Sequence, residues 1–233
     1  MNSMKVLCTI GLQRAFLELS PELEAVAGCG VEVDFGVAAS FAHEIERGRH
    51  FDIAFVTREV ADSLAASGKA ITETVSDIAR SGLALAVCVG APKADIGSID
   101  KLRDALLSAN SIATSQNGLA GRYFLNVLRD LGIESPVRSK IVWETAGGYA
   151  ASIAARGDAE MAVQLVSEIL PVRGVEIAGM FPEAVQRYAV LSSCIAADCV
   201  NRAAAEALVA HFRHPSTEFI LANAGLERCY RVG

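Results

Sequence analysis

The sequence predicts an α/β chain of two lobes, each built on a mainly parallel sheet, joined by two hinge strands with a ligand cleft between. Three observations carry that prediction. Short apolar runs of strand character alternate with segments of helical period from the start of the chain. The alternation then restarts as a second set near Leu83. Late in the chain, Gln186–Ala196 forms an apolar segment long enough to serve two sheets in succession.

In order, Lys5–Ile10 reads as a strand and Leu12–Ala27 as a helix, with Leu12, Ala15, Phe16, Leu19 and Leu23 on one face. Pro21 is expected to kink or restart that helix. Val31–Phe35 is a strand, Ala39–Arg47 a helix, Phe51–Val56 a strand, and Arg58–Ser67 a helix closed by Gly68. This βαβαβα order is that of a parallel sheet covered by helices. A short structured crossing at Ile78–Gly82 leads to Leu83–Val89, apolar throughout as a central strand is. Ser98 caps a helix over Ile99–Ser108. A strand from Ile112 turns into a helix that runs through Leu131. Lys140–Trp143 (strand), Tyr149–Arg156 (helix), Ala159–Val163 (strand), Val166–Leu170 (helix) and Val175–Met180 (strand) complete the second set. Helices over Arg202–Phe212 and Ser216–Asn223 close the chain. The expected division is residues 1–80 with 195–233 as one Rossmann-like lobe and 81–194 as the other.

The chain's 233 residues, 52% of them hydrophobic, can bury a substantial core. A net charge of −6 argues against a nucleic-acid surface. No run approaches the ~18 uninterrupted apolar residues of a membrane helix, so membrane insertion is not expected. Read as complete, the chain lacks a secretory leader and points to the cytoplasm; with a leader removed, the same residues would suit the periplasm. The six cysteines form no CxxC pair and read as reduced structural thiols. The four histidines form no metal-ligand pattern, and His211 and His214 read as helix-end caps. Neither a metal nor a cofactor is expected.

Function is sought at the strand-to-helix corners, where helix starts present N–H groups and a positive dipole end to an anion. Ser115, Gln116, Asn117, Ala120 and Arg122 lie at one such corner, with an Asn-Gly turn. Others carry Gly11, Gln13 and Arg14; Gly36 to Ser40, including Ala39; Thr57 and Arg58; and Glu144, Thr145 and Ala146 before Gly147-Gly148. Gln164, just after the strand ending at Val163, joins them. Arg14, Arg58 and Arg122 suit bidentate pairing with a carboxylate. Each corner also reads as an ordinary cap, and each arginine as solvated surface.

Ala38–Gly48, Phe51–Val56, Ala120–Tyr123, Leu131–Ile133 and Val175–Pro182 together resemble the bacterial molybdate-binding protein family. That resemblance implies a type II periplasmic-binding-protein fold holding an oxyanion in its cleft, and an ABC transporter as partner if the chain is exported. In the family, serines of the first two corners and a tyrosine of the second lobe bind the oxyanion. The matching positions here are Gly11, Ala39 and Gln164, while backbone donors at Ala120 and Ala146 survive the change. Fewer hydroxyls and added arginines shift the expected ligand from molybdate toward an organic carboxylate. Aconitate isomerase is similar to this family, so a cofactor-free isomerase acting on an unsaturated tricarboxylate is the alternative, with Glu144 or His43 as candidate base.

Overall fold

A computed structural model describes residues 3–229. Its elements are β1 (Met4–Thr9), α1 (Ile10–Ala27), β2 (Val31–Gly36), α2 (Ala38–Glu46), β3 (Ile53–Thr57), α3 (Arg58–Ala66), β4 (Ser76–Cys88), α4 (Ile99–Ser108), β5 (Ile112–Ser115) and α5 (Leu119–Asp130). After them come α6 (Glu134–Arg138), β6 (Ile141–Glu144), α7 (Ala151–Ala155), β7 (Met161–Leu165), α8 (Val166–Ile169), β8 (Val175–Met180), β9 (Tyr188–Ile195), α9 (Arg202–Arg213) and α10 (Glu218–Asn223). The chain divides into two compact units, Met1–Arg80 with Val190–Gly233 and Ser81–Ala189. The second boundary therefore lies at Ala189/Val190, where the sequence reading places it at 194/195. Both boundaries fall inside strands, β4 and β9, so β4 is one continuous strand rather than a crossing followed by a strand.

In the first unit, β1 pairs in parallel with β2 and β3, and β9 adds antiparallel to β3. Side chains of β3 alternate between two cores. Ile53 and Phe55 join Phe16 of α1 and Phe212 of α9, whereas Ala54 and Val56 join Phe41 of α2 and Leu64 of α3. Burial on both faces is why the strand reads as an unbroken apolar run. Phe16 sits edge-on to Phe55, and Phe55 and Phe212 have ring centroids 4.8 Å apart.

Helix α1 runs through Pro21 without the expected restart. A proline there withholds the N–H that Leu17 O would accept. The Ser20 hydroxyl donates to Leu17 O at 2.8 Å and replaces it.

In the second unit, β5 pairs in parallel with β6 and β7, and the antiparallel β4 carries β7 and β8. One face packs Leu102 and Leu106 of α4 against Phe124 and Leu128 of α5. The other is almost all alanine: Ala84, Ala86, Ala113, Ala151, Ala154 and Ala162. Small side chains let α7 lie close on the sheet. Ser98 caps α4 as expected, accepting from the Lys101 N–H at 3.3 Å. Helix α6, with Pro136 in its first turn, has no counterpart in the sequence reading.

All six cysteines are free thiols; Cys8 and Cys194 are buried, and burial pushes both thiols up, Cys194 to about 12. His214 caps the turn after α9, its Nδ1 accepting from the Ser216 N–H at 3.2 Å.

Candidate functional site

Parallel strands end on a common edge, so the helices that follow them start side by side. In the first unit these are α1, α2 and α3, each entered through an extended residue: Thr9, Val37 and Thr57. Gly11 is buried in the first turn of α1, Gln13 is half-buried and Arg14 exposed. Ala39 and Ser40 are exposed in the first turn of α2. Gly36 has a packing reason: a Cβ there would lie 2.8 Å from the Phe41 ring. Arg58 is already engaged. Its Nε donates to Asp62 at 2.9 Å and its Nη1 to Asp77 at 2.9 Å, while Ser192 also donates to Asp77. Its charge is neutralised by these two aspartates within the first unit.

In the second unit the corners after β5, β6 and β7 share an edge. Ser115 and Glu144 are register partners, and the Gln116 N–H donates to Glu144 O at 2.9 Å. That pairing brings Gln116 and Asn117, both exposed, beside Thr145 and Ala146, also exposed. Helix α5 is seated tightly on the end of β5. Ser115 Oγ accepts from the Gly121 N–H at 3.2 Å, and a Cβ on Gly121 would lie 1.8 Å from Ser115 O. Ala120 is buried by this seat and Arg122 projects outward. A cleft of about 380 Å³, lined by Trp143, Thr145, Ala146, Tyr149, Ser152 and Arg156 among others, opens at the next corner.

Gln164 lies inside β7, opposite Ala84, rather than after the strand as the sequence reading has it. Its side chain is fully buried in the alanine layer. Oε1 accepts from the Ala151 N–H at 3.0 Å and so starts α7.

The Glu144 carboxylate accepts from the Ala146 and Gly147 N–H groups at 2.8 and 3.1 Å, holding its own turn. His43 stands in the body of α2 with its side chain 80% exposed and Glu46 at 3.7 Å. A carboxyl that the sequence reading passes over is Glu168 of α8, one turn beyond Gln164. It is buried, and burial pushes it up to about 7, against hydrogen bonding from the Leu165 backbone and the Gln164 side chain that pulls it down. Next to it, Ser167 Oγ is buried without a partner, and the Ser167 N–H donates to Ser81 Oγ at 3.1 Å. The sequence signal for it is a lone acid in the run Leu165–Leu170, whose pattern by itself says only helix.

Among the described residues no cluster of three His, Cys, Asp or Glu side chains could hold a metal ion, and no helix is long and apolar enough to cross a membrane.

A family model described as bacterial extracellular solute-binding protein matches residues 4–227. Aconitate isomerase from a Pseudomonas species is 26% identical over 236 residues, covering 97% of this chain and 88% of that protein. The periplasmic molybdate-binding protein of Azotobacter vinelandii superposes with a TM-score of 0.83 at 19% identity, over 98% of this chain and all of that one. The sulfate-binding protein of Mycobacterium tuberculosis gives 0.77 at 13% identity, over 97% and 86%. The type II periplasmic-binding-protein architecture is therefore the fold of this chain.

Proposed function

This chain belongs to the bacterial extracellular solute-binding protein family, and on that premise we propose that it binds a small organic carboxylate at the helix-start corners of its sheets. The observation that carries this reading is the shared edge of β5 and β6. There Gln116, Asn117 and Thr145 stand together with the starts of α5 and α7, and Arg122 follows on the first turn of α5. The Ala146 N–H is held by the Glu144 carboxylate, so the start of α5 at Ala120 and the Arg122 guanidinium are the groups that suit the two oxygens of a carboxylate. Gln13, Arg14, Ala39 and Ser40 give the first unit corners of the same kind. Where the molybdate-binding family uses hydroxyls, Gly11, Ala39 and Gln164 offer none, which supports a carboxylate over a tetrahedral oxyanion.

Arg122→Ala tests this directly. At a citrate or aconitate concentration 100-fold above Kd, the wild type gains about 2.7 kcal/mol of stability, seen as a rise in Tm. The variant is expected to lose that gain while keeping its ligand-free Tm. An undiminished rise removes Arg122 from the site.

A second reading is favoured by the resemblance to aconitate isomerase along nearly the whole length of both proteins. The same corners would then hold an unsaturated tricarboxylate while a side chain moves its double bond. No cofactor is needed for that chemistry, only anion binding and one well-placed acid–base group.

A further inference from the structure

We propose that the first unit carries a second binding site, for a small α-amino acid with an apolar side chain. It lies at the end of the sheet away from the helix-start corners and does not rest on the carboxylate reading.

The site is a cavity of about 430 Å³, within the ~300–1,000 Å³ range of small-ligand pockets. Three connections of the first unit meet there: the exit of α2, the exit of α3 and the residues after β9. The five residues of β3 separate it by roughly 17 Å from the corner that starts α3.

Backbone hydrogen bonds tie the three connections together. The Ala197 N–H donates to Lys69 O at 3.0 Å, and the Ala196 N–H to Asp52 O at 2.9 Å. The Gly48 N–H returns to Ile45 O at 3.0 Å, and the Arg49 N–H to Glu44 O at 2.9 Å. The walls are therefore set before a ligand arrives, which removes the cost of ordering them on binding. The mouth is clear. Gly48 and Gly68 border it, and a Cβ added at either would meet nothing within 4 Å.

The lining has an apolar floor and a charged rim. Ile45 and Phe51, both buried, form the floor. On the rim Arg49 is already engaged: the Glu44 and Asp34 carboxylates bind its guanidinium, which lies 5.3 Å from the centre of the Phe41 ring. Lys69 and Asp198 differ from it. Both are exposed, and among the described residues neither side chain has a hydrogen bond or an ion pair. Their backbones are neighbours through the Ala197 bond to Lys69, yet the two charges do not meet.

A ligand that brings a carboxylate and an ammonium close together answers both charges. A free α-amino acid carries that pair on a single carbon, and its apolar side chain would cover Ile45 and Phe51. A simple anion would leave Asp198 opposed, and a simple cation would leave Lys69 opposed, so the rim selects against each.

Calorimetric titration with leucine tests this, against isocaproate and isoamylamine, which keep the apolar body and lose one charge each. Wild type is expected to bind leucine, and each single-charge analogue at least about tenfold more weakly. Lys69→Met and Asp198→Asn should each lower leucine affinity about tenfold and leave the ligand-free Tm unchanged, since both side chains are exposed. Arg122→Ala should bind leucine as wild type does, which separates this cavity from the carboxylate corner. The analogues are tested on wild type, so a variant that fails to fold does not blunt the result. Absence of binding at millimolar leucine, or analogues as tight as leucine, overturns the proposal. Loss of leucine binding in Arg122→Ala but not in Lys69→Met or Asp198→Asn also overturns it. None of these outcomes bears on the carboxylate reading, which Arg122→Ala with citrate tests by itself.

Discussion

Gly121→Ala is expected to destabilise the protein by more than about 3 kcal/mol, in the range reserved for overpacking that cannot relax. The added Cβ would meet Ser115 O at 1.8 Å and its carbonyl carbon at 2.9 Å. Those atoms belong to the end of β5, which pairs with β6 through Ser115 and Glu144, while Ile112 and Ala113 of the same strand pair with β7, so the strand cannot retreat. Only α5 can move, and doing so breaks the Gly121 N–H to Ser115 Oγ bond and lifts Phe124 from its core. Gly118→Ala is the control. Its Cβ would meet Ser115 Oγ at 2.5 Å, a side-chain atom that can rotate away, so a smaller loss is expected. Urea unfolding at neutral pH measures both. A Gly121→Ala loss below about 1 kcal/mol would show that α5 is not pinned to the strand end, and the placement of Ala120 and Arg122 would lose its basis.

The second large effect concerns Glu168 and pH. Its folded pKa of about 7 stands above the ordinary 4.5. Between those values the folded state binds more protons than the unfolded one, so stability falls as pH rises through the window and levels off above it. The loss is on the order of 3 kcal/mol. Glu168→Gln keeps the shape and removes the charge. It is expected to match wild type near pH 4.5 and to exceed it by a comparable amount at pH 8, read as urea midpoints at the two values. A variant less stable than wild type at pH 8 would mean that the carboxylate is welcome where it sits.

Much of this was legible because the strands are buried on both faces and their runs are strongly apolar. Helix Ile99–Ser108 with its Ser98 cap and strand Val175–Met180 have the bounds their sequence patterns predict. What escaped depended on partners distant in sequence. Pro21 looked like a break because the Ser20 hydroxyl that substitutes for its missing N–H is invisible to periodicity. Arg58 looked like an anion ligand because Asp77, which neutralises it, arrives from β4. The strand containing Gln164 runs on through Leu165, because its register is set by pairing with β4. That shift turns Gln164 from a loop donor into a buried one. The glycine-rich corner that suggests Glu144 as a base also supplies the N–H groups that its carboxylate accepts from.

The most direct measurement is proton NMR in D₂O of the protein with a mixture of small di- and tricarboxylates, including both aconitate isomers. Selective broadening of one compound's lines, or its conversion or deuterium exchange, is the expected result and would name the ligand class. Unchanged spectra for every compound, with molybdate or sulfate raising the Tm of the same sample, would contradict the carboxylate reading and return the chain to the oxyanion binders.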